Sequence, residues 1–305
     1  MKGLLLGKNG MLGQEICKNY ELRSTNYEFI SLGHEDLDIT NKKIVHEKIR
    51  ELRPKIVINA TGYTNVDGAE TEKETAFAVN AEGVEYLAEA CAEINAALFH
   101  FSTDYIFDGT QAVGYKEDVE DHIKPLNVYG ESKRAGELLI TNYKLRIEHK
   151  EWKYFIIRTS WLYGTGGKNF VDTLLTRARD GQTEFKVVND QFGKPTYTGD
   201  LAERVLWMIE QSGELESGIY HCVNEITNYE TPAGIAWYDF AREIFTQARE
   251  LGIIKKVPLV VPCATSEFPR PAKRPTYSAL INTKLSPMRE WKGALRDYLT
   301  RISVS

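Results

Sequence analysis

Cysteine is scarce in this chain: Cys17, Cys91, Cys222 and Cys263 are the only four in 305 residues. They lie far apart, with no CxxC spacing and no Cys/His cluster, so neither a disulfide framework nor a zinc site is expected. Long apolar runs are missing too. No stretch approaches the roughly 18 residues that a membrane-spanning helix needs, and the opening run Met1–Gly7 is too short for a secretory core. Basic charge is in deficit, with a net charge of -5, which disfavours non-specific binding to nucleic acid or to a membrane surface. Internal repeats and low-complexity segments are absent. What remains is an ordinary soluble composition, 42% hydrophobic and 27% charged, long enough for one large or two intimate domains and expected in a reducing, cytoplasmic setting.

The first half alternates short apolar runs with helical patterns. Strands are expected at Gly3–Leu6, Tyr27–Leu32, Lys55–Ala60, Ala97–Ser102 and Tyr154–Thr159. Helices are expected at Met11–Tyr20, Lys43–Leu52, Thr75–Glu93 and Ser132–Thr141. Continuous rather than alternating apolar strands, each followed by a helix, predict a parallel sheet covered on both faces. The fold class is therefore α/β: a Rossmann-type doubly wound parallel sheet with a smaller C-terminal substrate-binding domain. After Trp161 the rhythm loosens and prolines accumulate. The expected division is 1–160 plus about 198–225 for the dinucleotide domain, and about 161–197 plus 226–305 for the substrate domain.

The first strand runs into Gly7-Lys8-Asn9-Gly10-Met11-Leu12-Gly13, a GxxGxxG loop that opens a helix. Amides at such a turn, with the helix dipole behind them, can hold a pyrophosphate, while glycines allow it to approach. Three glycines at this spacing also arise by chance; the strand–helix junction is what gives them meaning. The acid that usually binds the ribose is expected about 20 residues further on, at the tip of the second strand. The sequence there reads Ser31-Leu32-Gly33-His34, with no acid at the tip, and Asp36 and Asp38 only follow. That removes a reason to reject a 2′-phosphate, so NADP(H) is expected, with NAD(H) as the alternative. Tyr129 and Lys133 form a YxxxK pair, on one helix face at i and i+4. An ammonium beside a phenol favours the phenolate, as proton transfer near neutrality requires. Thr103, at the end of the preceding strand run, supplies a hydroxyl facing the ligand crevice, with Ser102 and Asp104 beside it. Turn capping is the bland role for these three.

Together these residues resemble the dTDP-4-dehydrorhamnose reductase family, over nearly the whole chain. The resemblance rests on Gly7–Gly13, Leu37–Thr40, Asn59–Asp67, Ser102–Gly109, Pro125–Gly130, Arg158–Tyr163, Asn189–Thr196 and Arg270–Pro275. It implies transfer of hydride from NAD(P)H to C4 of dTDP-4-dehydro-L-rhamnose, with Thr103, Tyr129 and Lys133 as the catalytic trio. It implies cofactor contacts from Gly7, Asn9, Gly10, Met11, Leu12, Gly13, Asp38, Ile39, Ala60, Thr61, Tyr63 and Ser102. It implies contacts to the dTDP-linked 4-keto-6-deoxy sugar from Val66, Thr103, Asp104, Tyr105, Trp161, Asn169, Phe170, Gln191 and Arg274, with Trp161 against the sugar ring. Some members dimerise through Mg²⁺ held by glutamates; Glu15 matches the first of these and Glu290 is a candidate for the second. Monomer and homodimer both fit. Gly62 and Gly68 depart from the pattern, standing where alanine and a larger residue are usual. Two alternatives stay open: another nucleotide-sugar reductase or epimerase, and a non-catalytic NADP-binding regulatory subunit of methionine adenosyltransferase.

Overall fold

A computed structural model describes residues 1–21, 27–147, 151–227 and 233–303. The chain opens with β1 (Lys2–Leu6), α1 (Met11–Glu21), β2 (Glu28–Leu32), α2 (Lys42–Leu52) and β3 (Ile56–Asn59). It continues through α3 (Lys73–Phe77), a π turn over Ala78–Glu82, α4 (Gly83–Glu93), β4 (Ala97–Thr103), α5 (Val128–Arg146) and β5 (Tyr154–Thr159). The second half contains β6 (Leu162–Tyr163), α6 (Phe170–Arg179), β7 (Glu184–Val188), β8 (Phe192–Gly193), β9 (Thr196–Tyr197) and α7 (Thr198–Glu210). It ends with β10 (Gly218–His221), β11 (Ile235–Ala236), α8 (Trp237–Glu250), β12 (Leu259–Cys263) and α9 (Trp291–Ser303).

Six strands form one parallel sheet in the order β10-β5-β4-β3-β1-β2. The fold class is the one the strand–helix alternation predicts, and the reason is visible in burial. Leu4, Val57, Leu98 and Ile156 pack beneath α2, α4 and α5 with Val45, Ile49 and Leu87. Leu5, Ile58, Phe99 and Ile157 pack on the other face against α1 and α7 with Ile16, Leu201 and Val205. The apolar strand residues thus face one helical layer or the other. A third core gathers Val171 of α6, Phe240 and Ile244 of α8, and Leu295 and Tyr298 of α9, with Phe185 of β7.

The order reverses between β1 and β3, because β2 lies to one side of β1 and β3 to the other. Open α/β sheets bind ligands at the carboxyl ends of the strands at such a switch. Among the described residues, no helix is long and apolar enough to cross a membrane.

Two elements differ from their sequence expectation at the place that matters. The helix expected from Ser132 starts at Val128, capped by Asn127, whose side chain accepts from Gly130 N at 2.8 Å. Gly130 reads as a turn signal, yet it is needed inside the helix because a Cβ would collide with the carbonyl of Tyr105. The helix expected over Thr75–Glu93 begins at Lys73 and is interrupted by the π turn, a widening that often marks functional positions.

Candidate active site

The glycine loop forms a phosphate-sized cradle. Gly7 has φ +86°, and a Cβ there would stand 2.7 Å from the carbonyl oxygen of Ala60 at the end of β3. A Cβ on Gly13 would strike the carbonyl of Gly7, whereas Gly10 meets nothing closer than 3.4 Å. Two glycines therefore let β1, β3 and α1 close together, and the third leaves open space. Met11 begins α1, Leu12 is buried beneath it and Asn9 is exposed beside the opening. The first-turn amides point toward this space, which suits a pyrophosphate. The residues present thus fit a dinucleotide.

At the tip of β2 the structure corrects the sequence reading. The turn folds back, with Gly33 N donating to Asp36 Oδ2 at 2.9 Å. That brings Asp36 to Lys8 Nζ at 2.6 Å, and Glu35 to the Asn9 amide at 3.2 Å. Two acids therefore border the glycine loop although none stands at the strand end. His34 is exposed. Asp38 spends Oδ1 on Thr40 N and Oγ1 at 2.9 and 2.8 Å, and Ile39 is buried against Gly83.

Beyond β3, Thr61 is held by Asn59, and Tyr63 is clamped from both sides by Asn80 of the π turn. Asn80 accepts from Tyr63 N at 2.9 Å and donates to Tyr63 O and Ser132 Oγ, each at 3.0 Å. Sequence reasoning overlooked Asn80; an asparagine in mid-helix, where it is disfavoured, was the available signal. A methyl group at Gly62 would meet Asn80 Oδ1 at 3.4 Å, an ordinary contact, so alanine would also fit there, whereas the space at Gly68 is filled by Asn65 and Tyr63.

Thr103, Tyr129 and Lys133 come together where β4 ends against α5. Thr103 is buried; its hydroxyl donates to Asp104 Oδ1 at 3.1 Å and accepts from Tyr105 N at 3.2 Å. Lys133 is buried, donates to Phe101 O at 2.6 Å, and is pushed down to about 8 by burial, partly offset by the charge of Glu137. Burial pushes the Tyr129 phenol up to about 12, against a smaller lowering by the Thr103 hydroxyl. The lowering of Tyr129 expected from Lys133 is not seen. Shared helix face does not guarantee contact: the ammonium turns to a carbonyl and burial decides the phenol. Ser102 is buried beside Glu137, which pairs with Arg158 at 2.8 Å in the interior.

A cavity of about 1040 Å³ opens beside the third core; Thr103, Tyr129, Lys133 and Trp161 do not line it, and Tyr105 is the residue of the turn after β4 that does. Its wall includes Tyr105, Phe170, Gln191 and Arg274. Tyr105 joins the two regions, because its ring meets Tyr129 edge-on at 5.9 Å. Val66 is half-buried next to Asp67, and Asp67 also lines the cavity and pairs with Arg274. Gln191 donates to Thr265 Oγ1 at 2.9 Å. Asn169 does not reach the wall; it caps α6, accepting from Asp172 N at 3.0 Å and donating to Gly164 O at 2.9 Å.

Trp161 has φ +47°, a strained setting for a tryptophan. Its ring stacks on Trp237 at 3.5 Å between centroids and 8° between planes. Trp237 is the indole in the cavity wall. It went unnoticed in the sequence, as did the cations Arg177 and Lys186 on the same wall. A lone tryptophan opening a helix carries no motif.

Glu15 is fully buried and already served, accepting from Thr165 Oγ1 at 2.6 Å and pairing with Arg301 at 2.9 Å. Glu290 accepts from Lys292 N at 2.8 Å at the start of α9. Among the described residues, no cluster of His, Cys, Asp or Glu could hold a metal ion.

The family model described as "RmlD substrate binding domain" matches residues 1–304. A dTDP-4-dehydrorhamnose reductase of Aggregatibacter actinomycetemcomitans is 40% identical over 302 residues, covering 96% of this chain and 97% of that one. The crystal structure of a dTDP-4-dehydrorhamnose reductase from Clostridium acetobutylicum superposes with a TM-score of 0.86 at 39% identity, over 99% of this chain and all of that one (100%). That of a dTDP-4-dehydrorhamnose reductase from Bacillus anthracis in complex with NADP gives 0.84 at 34% identity, over 98% and 99%. With the glycine cradle, the Thr103–Tyr129–Lys133 cluster and these likenesses together, the chain belongs to the dTDP-4-dehydrorhamnose reductase family.

Proposed function

We propose that this protein uses NAD(P)H to reduce the 4-keto group of a dTDP-linked 4-keto-6-deoxy sugar, dTDP-4-dehydro-L-rhamnose, to dTDP-L-rhamnose. The observation that carries this reading is the meeting of Thr103, Tyr129 and Lys133 at the end of β4, beside Tyr105, whose ring touches Tyr129 and lines the large cavity. When bound, the dihydronicotinamide supplies a hydride. The chain's residues do the rest. The Thr103 hydroxyl and the Tyr129 phenol hold the sugar carbonyl oxygen. Because burial keeps Tyr129 protonated far above neutrality, it acts as the acid, giving its proton to the oxygen as the carbonyl carbon accepts the hydride. The phenolate left behind is stabilised by the nearby Thr103 hydroxyl and regains a proton from water. Lys133 also serves the nicotinamide ribose.

At the adenosine end, Glu35 and Asp36 suit the free ribose hydroxyls of NADH. Lys8 is the cation placed to meet the extra phosphate of NADPH once it leaves Asp36. Both cofactors are used, and Lys8 sets their ratio. At the substrate end, Arg177, Lys186, Arg270 and Arg274 supply positive charge for the diphosphate, while the Trp237–Trp161 stack and Phe170 offer flat apolar faces. Asn169 acts indirectly, by fixing the start of α6.

The test is incubation with enzymatically made dTDP-4-dehydro-L-rhamnose and each cofactor separately, following nicotinamide absorbance and identifying the sugar by NMR. Stoichiometric cofactor oxidation with release of dTDP-L-rhamnose supports the reading. An interconverted sugar with no net oxidation indicates an epimerase instead. Tight cofactor binding without turnover indicates a different sugar or a regulatory role.

A further inference from the structure

The indoles of Trp161 and Trp237 lie face to face, 3.5 Å between centroids and 8° between planes. At that spacing each ring covers a whole face of the other, and no ligand fits between them. One short ribbon makes the pair. Gly193 of β8 comes so close to the Trp161 indole that a Cβ there would stand 2.5 Å from Cε2. β11 pairs antiparallel with β8, with Ile235 opposite Gly193 and Ala236 opposite Phe192. Gly234, at φ +105°, lets the two strands approach, because a Cβ on it would stand 2.7 Å from the carbonyl oxygen of Gly193. Trp237 is the next residue after β11. The strand that packs beside Gly193 therefore lays Trp237 on the indole that Gly193 approaches.

The two rings have different surroundings. Trp237 lines the cavity, with the Phe170 ring edge-on to it at 4.7 Å. Trp161 does not line the cavity, and one of its faces is taken by Trp237. Its backbone, at φ +47°, is tied down on both sides: Thr196 N donates to Trp161 O at 3.3 Å, and Ser160 Oγ donates to Lys194 O at 2.6 Å. A bulky residue persists in left-handed backbone only where its surroundings over-determine it. The pair also stands near the reacting end. Thr159 is opposite Thr103 in the β4–β5 register, and Trp161 is two residues further on, at most about 7 Å of chain. The part of a sugar nucleotide that reacts beside Thr103 is the sugar; the base lies beyond the diphosphate. An indole face at this place meets the C–H bonds of a sugar ring, whose slight positive charge suits the negative face of the π-system.

We infer that Trp237 is the residue that presents an aromatic face to the sugar of the substrate, and that Trp161 is a positioning residue that backs Trp237 without touching the sugar. The resemblance implies the other order, with Trp161 against the sugar ring. The identity of that sugar rests on the reductase reading; the order of the two rings does not. Sugar recognition then passes through Trp237, and any effect of Trp161 on it is transmitted by the ring that covers it.

Affinity for dTDP and for dTDP-L-rhamnose is measured by calorimetry in saturating NADPH, with which neither ligand can react. The ratio of the two dissociation constants is the sugar's share of binding. The proteins are the wild type, Trp237→Ala, Trp161→Ala and the double variant. Trp237→Ala is expected to cut the sugar's share by about 10-fold, the scale of a lost aromatic contact, with affinity for dTDP itself within about two-fold of the wild type. Trp161→Ala is expected to cut the share a few-fold in the wild-type background and no further in the Trp237→Ala background. An undiminished share in Trp237→Ala overturns the inference. So does a Trp161→Ala effect of equal size in both backgrounds, since Trp161 then meets the sugar itself. Should Trp161→Ala not fold, Trp161→Phe in the same two backgrounds is judged by the same criterion. The cycle is repeated with dTDP-glucose, which separates the ring order from the identity of the sugar. A wild-type share for dTDP-glucose and none for dTDP-L-rhamnose sinks the reductase reading, and the dTDP-glucose cycle then decides the ring order. No share with either ligand overturns both.

Discussion

The two ends of the site are made in different ways. The dinucleotide end is built from short contiguous stretches at strand tips: Gly7–Gly13 after β1, Glu35 and Asp36 after β2, Thr61–Tyr63 after β3. Its geometry is enforced by backbone, since side chains at Gly7 or Gly13 would strike main-chain carbonyls. The proposed sugar-nucleotide end joins two contiguous stretches, Glu184–Val188 and Phe268–Arg274, with side chains from distant elements. Its wall takes Tyr105 from the turn after β4, Phe170 and Arg177 from α6, Lys186 from β7, Trp237 from α8 and Arg274 from the C-terminal segment. Tertiary packing assembles it, and the third core holds it. One end tolerates almost no side chain; the other is made of side chains. Tyr129 and Thr103 stand where the two meet.

If this division is right, substitutions at each end should disturb only their own ligand, and the junction should disturb neither ligand but stop the chemistry. The largest effect is expected at the junction. Tyr129→Phe should slow hydride transfer by roughly 10³-fold, the scale of a lost general acid, while cofactor affinity by fluorescence titration stays within a factor of about two. Next is the backbone-enforced end. Gly13→Val should weaken NAD(P)H binding by roughly 100-fold or more, because its Cβ cannot fit without moving β1 from α1, with dTDP affinity by calorimetry little changed. Trp237→Ala should raise KM for the sugar nucleotide by about 10-fold, the scale of a lost aromatic contact. It should leave cofactor affinity alone and change the Trp161 emission. The smallest effect is one of preference. Lys8→Ala should lower kcat/KM with NADPH a few-fold more than with NADH, since it removes the positive charge that pairs with Asp36 and Glu35. A Trp237 variant that lost cofactor binding, or a Gly13 variant that lost dTDP binding, would dissolve the division.

The same contrast explains what could be read in advance. The parallel sheet was legible because each strand is apolar on both faces, as Leu4–Leu6 and Ile56–Ile58 show. The glycine loop and the Tyr129–Lys133 spacing were legible because their meaning is local. Three things were not. Asp36 and Glu35 reach the glycine loop only through the fold-back at Gly33. The direction in which Lys133 turns depends on the carbonyl of Phe101, contributed by another element. Trp237, Arg177 and Lys186 share a wall only after α6, β7 and α8 have packed. Glu15 shows the converse: its position matched a metal-ligand pattern, but Arg301, far away in the chain, already neutralises it.

The central claim is that hydride passes to the sugar carbonyl beside Tyr129. The most direct measurement uses NADPH deuterated at the transferable position, dTDP-4-dehydro-L-rhamnose and the wild-type protein, with the label in the product located by NMR. The account predicts one deuterium at C4 of dTDP-L-rhamnose, appearing with the wild type and strongly slowed in Tyr129→Phe. Deuterium at another carbon, or none in the sugar while the cofactor stays bound, would contradict it.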